Sequence, residues 1–381
     1  MIYLDNAATS WPKPESVYQK TEEALRAGGS PGRGGYQKAR KAAEVLYEAR
    51  EALAELIRAP IATQIAFAQN ATDALSMALF GLIKPGDIVV TTSMEHNAVA
   101  RPLWQLQQTG VIIRKVSCNA QGELNWSMLK EALSGAQWIV LTHASNVSGT
   151  VFPIHEIGRL AAERNVRCIV DACQTIGVKE IDVQAGLFSA VAFSGHKGLL
   201  SPQGVGALYI EETLSCKPLR YGGTGSLSES EEQPSFMPDR LESGTPNVPG
   251  IAGLLAGVEY IAAKGQDAIC RHELKLAQLL WEGLGVLPKV KRLGPGFAAE
   301  RTAVVSFAVE GIDSGMISRA LEETAAIASR SGLHCAPWAH KTLGSLESGA
   351  VRFSPGIYNN EAEIKIVLET LEAVLKTESA C

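Results

Sequence analysis

Lys197 and Asp171 each come at the end of a short apolar run, where a buried strand would give way to a loop. Lys197 follows AVAFSG (190–195), and Asp171 lies at the end of RCIVDA (167–172). A lysine at such a place can form a Schiff base with an aldehyde cofactor, although most lysines lie in solvated loops. A carboxylate beside a buried strand is costly unless it caps a helix or meets a cation such as a protonated pyridine nitrogen. The pair therefore predicts a cofactor site, with a loop lysine and a helix cap as the ordinary alternatives.

Two further strand ends carry groups suited to binding an anion or a ring oxygen. In IAFAQNATDAL an apolar run passes directly into a predicted helix at Ala71 and Thr72. The free backbone N–H groups and the dipole of that helix favour an anion there. Asn146 follows WIVLTHA in a polar turn, and Gln174 lies three residues beyond the aspartate described above. Several polar groups at the strand ends of one sheet favour a binding site over separate helix caps.

A cysteine in the stretch RSGLHCAPW is a candidate nucleophile. Cys335 lies in a predicted loop next to His334 and five residues after Arg330, where positive charge would lower the pKa of a thiol. A cysteine in a loop is more often a small apolar filler, so this role depends on the rest of the site. Cys168 lies inside an apolar strand and is expected to be a packing residue, and Cys173, inside a cofactor motif, is expected to be a small spacer. The other cysteines have no chemical surroundings that suggest a role: Cys118, Cys216, Cys270 and Cys381.

The elements that would position these residues alternate between short apolar runs and helical patterns. Such alternation predicts βαβ units and a mostly parallel sheet covered on both faces. Ligands of such sheets bind beyond the carboxyl ends of the strands, which is where the polar residues cluster. The predicted strands are 65–69, 87–92, 111–117, 138–144, 167–172, 190–195 and 206–210.

A change of composition divides the chain. Residues 221–246 are rich in Gly, Ser, Pro and acidic side chains and predict an exposed excursion. Beyond it we predict helices over about 248–284, strands at 302–307 and 351–354, and a last helix from about residue 360. The sequence therefore predicts a large domain, 16–246, and a smaller α+β domain made of 1–15 and 247–381.

Composition excludes several classes of protein. The chain has 381 residues and a net charge of −5, so it lacks the basic footprint of a nucleic-acid-binding protein. It has no run of about 18 apolar residues to span a membrane, and its first residues do not read as a secretory signal. Seven scattered cysteines without a C-x-x-C pair argue for reduced thiols in a cytoplasm and against a zinc site or other metal site.

Taken together, the motifs resemble the class V aminotransferase family of pyridoxal phosphate (PLP) enzymes, and within it the cysteine desulfurases, above all the group II, Suf-type enzymes. The resemblance covers nearly the whole chain. It implies the PLP-dependent transferase fold of type I, with a mostly parallel seven-stranded sheet in the large domain and a smaller α+β domain. The motifs that carry it are YLDNAATS, QNATDAL, EHNA, HASNVSGT, VDACQ, SGHKGLLSPQGVGALY, ESGTPN and RSGLHC.

The resemblance assigns roles around the cofactor ring. It implies that Lys197 holds PLP covalently and that Asp171 pairs with the pyridine nitrogen. Gln174 and Asn146 would contact the oxygen side of the ring. His96 of EHNA would stack on the ring and serve as a proton shuttle, since the unperturbed pKa of histidine is near neutral.

The resemblance also implies a phosphate site shared between two subunits. The groups of this chain that would hold the phosphate are Ala71, Thr72, Ser194 and His196. Thr245 in ESGTPN matches the position that family members contribute from the partner subunit. A homodimer is therefore implied.

The same resemblance assigns the substrate side. Arg352 in VRFSPGIYNN matches the arginine that binds the substrate α-carboxylate, a task suited to a planar guanidinium. Asn6, Asn146 and Arg330 would also contact the substrate. Cys335 would accept sulfur from L-cysteine as a persulfide, leaving L-alanine, with a possible acceptor protein and iron–sulfur cluster assembly downstream.

Several alternatives stay open at this point. Selenocysteine lyase activity would use the same residues, and another fold-type-I reaction, transamination or racemisation, would share the cofactor site. A catalytically silent scaffold would not need Lys197, Asp171 and His96 together. Residues 221–246 lack the strand alternation of the hairpin found there in Suf-type enzymes. We expect His340, in the segment after Cys335, to lie at the surface.

Overall fold

The computed structural model describes residues 1–32 and 34–378, so the predicted end of the smaller domain, with Cys381, lies outside the described residues. The strands are β1 (Ile2–Tyr3), β2 (Ile65–Ala68), β3 (Ile88–Thr92), β4 (Ile112–Val116), β5 (Trp138–Thr142), β6 (Arg167–Asp171), β7 (Ala190–Ser194), β8 (Gly206–Ile210), β9 (Val290–Leu293), β10 (Val305–Val309), β11 (Ile327–Ala328), β12 (Arg330–Gly332) and β13 (Ala350–Phe353). The helices are α1 (Glu15–Ala27), α2 (Gln37–Ile57), α3 (Ala71–Leu82), α4 (Asn97–Gln108), α5 (Trp126–Ala132), α6 (Ile154–Ala162), α7 (Val248–Lys264), α8 (Gln266–Gly285), α9 (Ser314–Ala325), α10 (Pro337–Leu343) and α11 (Glu361–Glu378).

A seven-stranded sheet forms the centre of the molecule, in the order β2-β8-β7-β6-β5-β3-β4. Only β8 runs against its neighbours, since it pairs antiparallel with both β2 and β7. The strands β5, β7 and β8 inside this sheet are mostly apolar and buried throughout, as expected when helices cover both faces of a sheet. The predicted α/β fold with a mostly parallel seven-stranded sheet is confirmed.

The register of the parallel strands brings their carboxyl ends to one edge of the sheet. Thr142 at the end of β5 lies opposite Asp171 at the end of β6, and Asp171 in turn lies opposite Ala192 of β7. The loops that follow these strands therefore leave the sheet side by side. This edge is the place that the sequence predicts for the ligand.

A second sheet lies in the later part of the chain, with the antiparallel order β12-β13-β10-β9. The predicted strand at 302–307 begins later, at Val305, because the backbone N–H of Thr302 is drawn to the carbonyl oxygen of Gly149, 2.8 Å away. β1 pairs with β11 and so ties the start of the chain to this region.

Helix α7 packs along α1 and α2. Its side chains Ile251, Leu254 and Val258 belong to the same apolar cluster as Val191 of the large sheet. The predicted domain limits, which place this helix in the smaller domain, stay a prediction.

Residues 221–246 contain neither helix nor strand, as their composition predicts. One acidic side chain anchors the end of this segment to the sheet. Glu242 accepts hydrogen bonds from the Arg50 side chain at 2.7 Å and from the backbone N–H of Phe67 at 2.6 Å. Because Arg50 is itself buried, this ion pair fixes the return of the segment to the core.

No helix within residues 1–32 and 34–378 is both long and apolar enough to cross a lipid bilayer.

Candidate active site

A cavity of about 710 Å³ opens at the carboxyl edge of the large sheet. It brings together most of the residues that the sequence singles out. Those that line it are Ala71, Thr72, His96, Asn146, Asp171, Gln174, Ser194, His196, Lys197, Arg330, Cys335 and Arg352. In the part of the chain that the structure describes, no three His, Cys, Asp or Glu side chains are grouped as ligands for a metal ion.

Two predicted residues lie elsewhere. Asn6 lines a smaller neighbouring cavity of about 70 Å³, which also borders Lys197 and Gln174. Its Nδ2 donates to the carbonyl oxygen of Ser354 at 3.0 Å, and its Oδ1 accepts from Trp11 at 3.2 Å. Thr245 is exposed and does not line the cavity of its own chain. Its predicted role in a partner subunit stays a prediction.

Asp171 lies at the floor of the cavity and is only 3% exposed. Its Oδ1 accepts a hydrogen bond from the backbone N–H of Cys173 at 3.0 Å. Lys197 follows β7 directly, on the neighbouring strand of the sheet. The carboxylate and the amine therefore face one cavity from adjacent strands, as the spacing of their motifs predicts.

One corner of the cavity is built to hold an anion. Ala71 begins α3, and its backbone N–H donates to the hydroxyl of Ser194 at 2.8 Å. Asn70 caps the helix by accepting from the N–H of Asp73 at 3.0 Å. Nearby, His196 has a buried Nδ1 without a hydrogen-bond partner among the described residues. A buried polar atom of this kind needs a partner, and an anion at the helix N-terminus would supply one.

His196 is neutral in this environment. Burial lowers its pKa to about 4, and the positive charges of Lys197 and Lys13 act in the same direction. A neutral imidazole can donate one hydrogen bond from Nδ1 without adding a charge to the site.

His96 forms the N-cap of α4 at the rim of the cavity. Its Nδ1 accepts a hydrogen bond from the backbone N–H of Ala98 at 3.0 Å, so the ring proton is carried on Nε2. Burial lowers the pKa of His96, and the charge of Lys197 lowers it further, while Asp171 opposes both. The geometry thus supplies a neutral imidazole with its N–H at a defined atom.

Glu95, which the sequence reasoning missed, lies fully buried beneath this site. Its two carboxyl oxygens contact the Thr92 hydroxyl at 2.5 Å and the backbone N–H of Thr142 at 2.9 Å. Burial raises its pKa to about 8, and the nearby charge of Asp171 contributes to that rise. The sequence held one indication of this residue: Glu95 is an acidic side chain three residues after an apolar strand and next to the candidate histidine His96.

Arg352 projects from β13 towards the same cavity and is 2% exposed. Its Nη2 donates to Oδ1 of Asp5 at 2.8 Å, and its Nη1 donates to the carbonyl oxygen of Asn146 at 3.0 Å. Its Nε is buried and unpartnered within residues 1–32 and 34–378. The guanidinium is therefore held in place by two of its N–H groups, and its unpartnered Nε remains for a ligand.

Asp5 is the second residue that the sequence reasoning missed. Its other oxygen, Oδ2, accepts from Arg330 at 3.4 Å, so one carboxylate holds both arginines of the cavity. Arg330 is 47% exposed on its side chain, so this second contact lies close to solvent and is weaker. No local pattern predicts the pair, since Asp5 and Arg352 are far apart in the sequence.

The loop that carries Cys335 has an unusual backbone. His334 and Cys335 are both left-handed, with φ of 50° and 55°, a conformation that side chains other than glycine rarely adopt. The carbonyl oxygen of His334 accepts from Nδ2 of Asn146 at 2.8 Å, and that of Cys335 accepts from the N–H of Asn97 at 2.8 Å. The loop is thus fixed to the wall of the cavity, and the thiol at its tip is exposed.

The prediction that His334 brings positive charge to the thiol is wrong. The side chain of His334 is buried, and burial together with the charge of Arg352 lowers its pKa to about 3. A neutral imidazole cannot stabilise a thiolate by charge. Of the two neighbours named from the sequence, only Arg330 lies at the cavity as a cation.

The expectation that His340 lies at the surface is also wrong. The segment after Cys335 forms helix α10, which turns Ala339, His340 and Leu343 inward. His340 is 0% exposed. Its ring stacks on that of His334, with 5.4 Å between the centroids.

Among the other cysteines in the described part of the chain, Cys168 is buried as expected, and Cys216 is buried as well. Burial raises the pKa of each of these two thiols to about 12. Cys173 lines the cavity, and burial raises its pKa well above the ordinary value. Cys335 is the exposed thiol of the described set, which singles it out as a nucleophile.

The sequence and structure were compared with known proteins. Residues 2–367 match the family model described as aminotransferase class-V. The chain is 33% identical to a probable cysteine desulfurase of Pyrococcus abyssi, over 99% of this chain and 95% of the relative. It is 34% identical to a probable cysteine desulfurase of Methanothermobacter thermautotrophicus, over 98% and 94% of the two chains.

Solved structures agree with these matches. The apo structure of a cysteine desulfurase from Thermococcus onnurineus superposes with a TM-score of 0.93 at 33% identity, covering 99% of this chain and 95% of that one. The cysteine desulfurase CsdA of Escherichia coli, in an S-sulfonic acid form, superposes with a TM-score of 0.87 at 28% identity, covering 98% and 94%.

The chain belongs to the class-V aminotransferase family. The predicted family is therefore confirmed, while the closer likeness to the Suf-type subgroup stays a prediction. Membership in this family implies PLP as the cofactor.

The residues of this class-V aminotransferase fit PLP on three independent observations. A buried carboxylate, Asp171, faces the cavity from the strand next to that of Lys197. The anion corner at the start of α3 contains the unpartnered Nδ1 of His196. His96 lies at the same cavity with a neutral ring suited to stacking. Aldehyde, pyridine nitrogen and phosphate would each meet a group of matching chemistry.

Proposed function

We propose that this protein is a PLP-dependent cysteine desulfurase that converts L-cysteine to L-alanine and takes the sulfur on Cys335 as a persulfide. The observation that carries the proposal is that the exposed thiol of Cys335 lines the same cavity as Lys197 and Arg352. The names of the relatives, which cover almost the whole chain, support it.

In this proposal Lys197 binds PLP through its ε-amino group and Asp171 keeps the pyridine nitrogen protonated. The α3 terminus with Ser194 and His196 holds the phosphate, and Gln174 and Asn146 lie towards the ring oxygen. PLP supplies an electron sink that acidifies the Cα–H bond of a bound amino acid.

Arg352 binds the substrate α-carboxylate. Asp5 and the Asn146 carbonyl hold two of its nitrogens and leave the buried Nε for the ligand. Burial lowers the pKa of Arg352, while Asp5 opposes that effect, so the guanidinium stays charged at neutral pH. Arg330 adds a second cation at the solvent side, and Asn6 lies behind Lys197.

Lys197 and His96 transfer the protons of the reaction. Lys197, once the amino group of the substrate has displaced it from PLP, would be a free amine that removes the Cα proton and returns a proton to the carbon that loses sulfur. His96 holds its proton on Nε2 at the rim of the cavity and can exchange it with the substrate. The neutral state of His96 at neutral pH suits this exchange.

Sulfur transfer balances without a further reactant. The thiolate of Cys335 attacks the substrate sulfur, an S–S bond forms, and the substrate C–S bond breaks. The electron pair of that bond stays with the substrate carbon, which takes up a proton. L-cysteine and the Cys335 thiol thus give L-alanine and the Cys335 persulfide.

The proposal extends to the compartment, the oligomeric state and the sulfur acceptor of the enzyme. We place the enzyme in the cytoplasm, as the free state of its described cysteines suits a reducing compartment. It would act as a homodimer in which Thr245 of one subunit completes the phosphate site of the other. The persulfide would pass to an acceptor protein, with iron–sulfur cluster assembly as one use.

The test is to incubate the holoenzyme with L-cysteine, measure alanine and sulfide, and locate the persulfide by mass spectrometry. We expect stoichiometric alanine and a persulfide on Cys335. Cys335→Ala should reduce cysteine turnover by at least about a hundredfold, since it removes the nucleophile. Cys270→Ala, on α8 outside the cavity, is the matched control and should retain turnover.

Other outcomes separate the alternatives. A persulfide on another cysteine would contradict the proposal. Retained selenocysteine turnover with lost cysteine turnover in Cys335→Ala would favour a selenocysteine lyase. 3-Mercaptopyruvate in place of alanine would identify an aminotransferase, and D-cysteine would identify a racemase.

A further inference from the structure

Three buried side chains form a continuous chain of hydrogen bonds behind the loop that carries Cys335. The hydroxyl of Ser345 lies 2.8 Å from Nδ1 of His340. Nε2 of His340 lies 3.1 Å from Nδ1 of His334, and Nε2 of His334 lies 3.4 Å from the carbonyl oxygen of Arg330. All three side chains in this Ser345–His340–His334 chain are buried.

The last contact fixes the direction of every bond in the chain. A carbonyl oxygen can only accept, so His334 must carry its proton on Nε2 and present a lone pair at Nδ1. His340 must then donate from Nε2, which leaves its own Nδ1 to accept from the Ser345 hydroxyl. Both imidazoles are neutral at neutral pH, because burial lowers the pKa of His334 to about 3 and that of His340 to about 4.

The His334 ring joins the two sides of the Cys335 loop. Through Nε2 it contacts the backbone of β12 before the loop, and through Nδ1 it contacts α10 after the loop. Between these two attachments lie the left-handed residues His334 and Cys335. A strained backbone of this kind persists only where its surroundings hold it.

The hydrogen bonds of the loop backbone do not suffice to fix the ring. The carbonyl oxygens of His334 and Cys335 are held by Asn146 and Asn97, which fix the peptide groups on the cavity side. The direction of the His334 side chain, on the inner side, depends on His340 alone within α10. Loss of that partner would leave a buried lone pair at Nδ1 and free the ring to turn.

We infer that His340 is a positioning residue for sulfur transfer, which holds the His334 ring and thereby the left-handed loop that presents the Cys335 thiol to the cavity. His340 touches neither cofactor nor substrate, since it does not line the cavity. The kinetic consequence of this inference rests on the proposed desulfurase function, whereas the conformational consequence does not.

Two amide substitutions at His340 separate its two hydrogen bonds. In His340→Gln the side-chain amide reaches the place of Nε2 and can still donate to His334. In His340→Asn the shorter side chain replaces only Nδ1, so it accepts from Ser345 and leaves His334 without its partner. Both substitutions replace the imidazole with a neutral amide. They differ in whether the hydrogen bond to Nδ1 of His334 is kept.

The first readout needs no substrate. The rate at which iodoacetamide alkylates Cys335 in the holoenzyme is measured by mass spectrometry across pH, with Cys270 as internal reference. We expect His340→Asn to change the Cys335 rate by about tenfold or more, because a loop released from its left-handed conformation alters the exposure and the electrostatic surroundings of the thiol. His340→Gln should stay close to the parent protein, and ¹⁵N NMR should find His334 protonated on Nε2 in both.

The second readout is turnover of L-cysteine. His340→Asn should lower kcat by about tenfold or more and leave KM within about twofold, because the substrate-binding guanidinium of Arg352 does not depend on His340. His340→Gln should restore most of kcat.

Equal loss in both variants, in step with a fall in Tm, would show a merely structural role and overturn the inference. Unchanged alkylation and turnover in His340→Asn would overturn it as well, as would a proton on Nδ1 of His334. If the parent protein forms no alanine from L-cysteine, the proposed function fails, but the alkylation and NMR results still decide the role of His340.

Discussion

At the scale of single residues, Glu95 explains how two carboxyl groups can share one buried site. Glu95 is 0% exposed and its pKa is raised to about 8, first by burial and then by the charge of Asp171. It is therefore protonated at neutral pH, and its two oxygens accept hydrogen bonds from the Thr92 hydroxyl and from the backbone N–H of Thr142. The negative charge of the site then belongs to Asp171, where a protonated pyridine would need it.

Glu95→Gln should reproduce the neutral acid, because its amide has nearly the same shape and no charge, and its carbonyl oxygen accepts from Thr142. We expect a free energy of unfolding close to that of the parent protein at pH 4, where the carboxyl is protonated in both the folded and the unfolded state. Glu95→Ala leaves both partners unsatisfied beside a cavity and should lose about 3 kcal/mol. Urea unfolding of the three proteins measures the difference.

The same variants carry a pH dependence of defined sign. A carboxyl whose folded pKa is raised holds its proton better in the folded state, so its contribution is present at low pH. That contribution is lost as the pH rises from 4.5 to about 8. The parent protein should therefore lose stability relative to Glu95→Gln between pH 6 and pH 9. A constant difference over that range would contradict a protonated Glu95.

At the scale of elements, the anion corner depends on how closely β8 approaches the start of α3. A Cβ atom added at Gly206 would lie 2.7 Å from the carbonyl oxygen of Phe193 and 2.9 Å from Cα of Asn70, the N-cap of α3. Both contacts are with backbone, which cannot turn aside as a side chain can. A glycine at this position lets the helix terminus meet Ser194.

Gly206→Ala should therefore lower the free energy of unfolding by about 1–3 kcal/mol, as overpacking of a close backbone contact does. It should also weaken PLP binding, since the N-terminus of α3 must move. Gly223→Ala is the matched control, because a Cβ there meets no atom within 4 Å. Thermal unfolding and PLP titration of the apoprotein measure the two effects. Equal values for both variants would disprove the steric argument.

The elements also show what the sequence could predict. The seven strands of the large sheet follow from short apolar runs, and the positions of Lys197 and Asp171 at strand ends follow from them. Helix α10 was missed because it is short and mixes polar with apolar residues, although the spacing of Ala339 and Leu343 gives a buried face. Because this helix was not predicted, the burial of His340 was not predicted either.

Contacts between distant parts of the chain could not be predicted from local sequence patterns. Asp5 meets Arg352 because β1 pairs with β11 and so brings the start of the chain to the second sheet. The direction of the hydrogen bonds through His334 depends on a carbonyl of β12, which composition and spacing do not reveal. Such relations need the folded structure, since they join residues that the motifs treat separately.

At the scale of the whole molecule, buried neutral histidines set the response to acid. Burial lowers the pKa of His143 to about 3, with contributions from His155 and Lys179, and it lowers the pKa values of His334 and His340 similarly. In the unfolded chain each of these side chains binds a proton near pH 6.5. The unfolded state therefore binds more protons than the folded state below that pH, and acid favours unfolding.

We expect the free energy of unfolding to fall as the pH decreases from 6.5 towards 4, because each of the three histidines contributes about 1.4 kcal/mol per pH unit and Glu95 opposes them with the slope of a single group. His143→Gln removes one of these groups from a site outside the cavity and should reduce the slope by about one proton. Urea unfolding at several pH values gives the slope directly. If His143→Gln and the parent protein lose stability equally over this range, His143 is not buried as a neutral group, and the acid sensitivity has another origin.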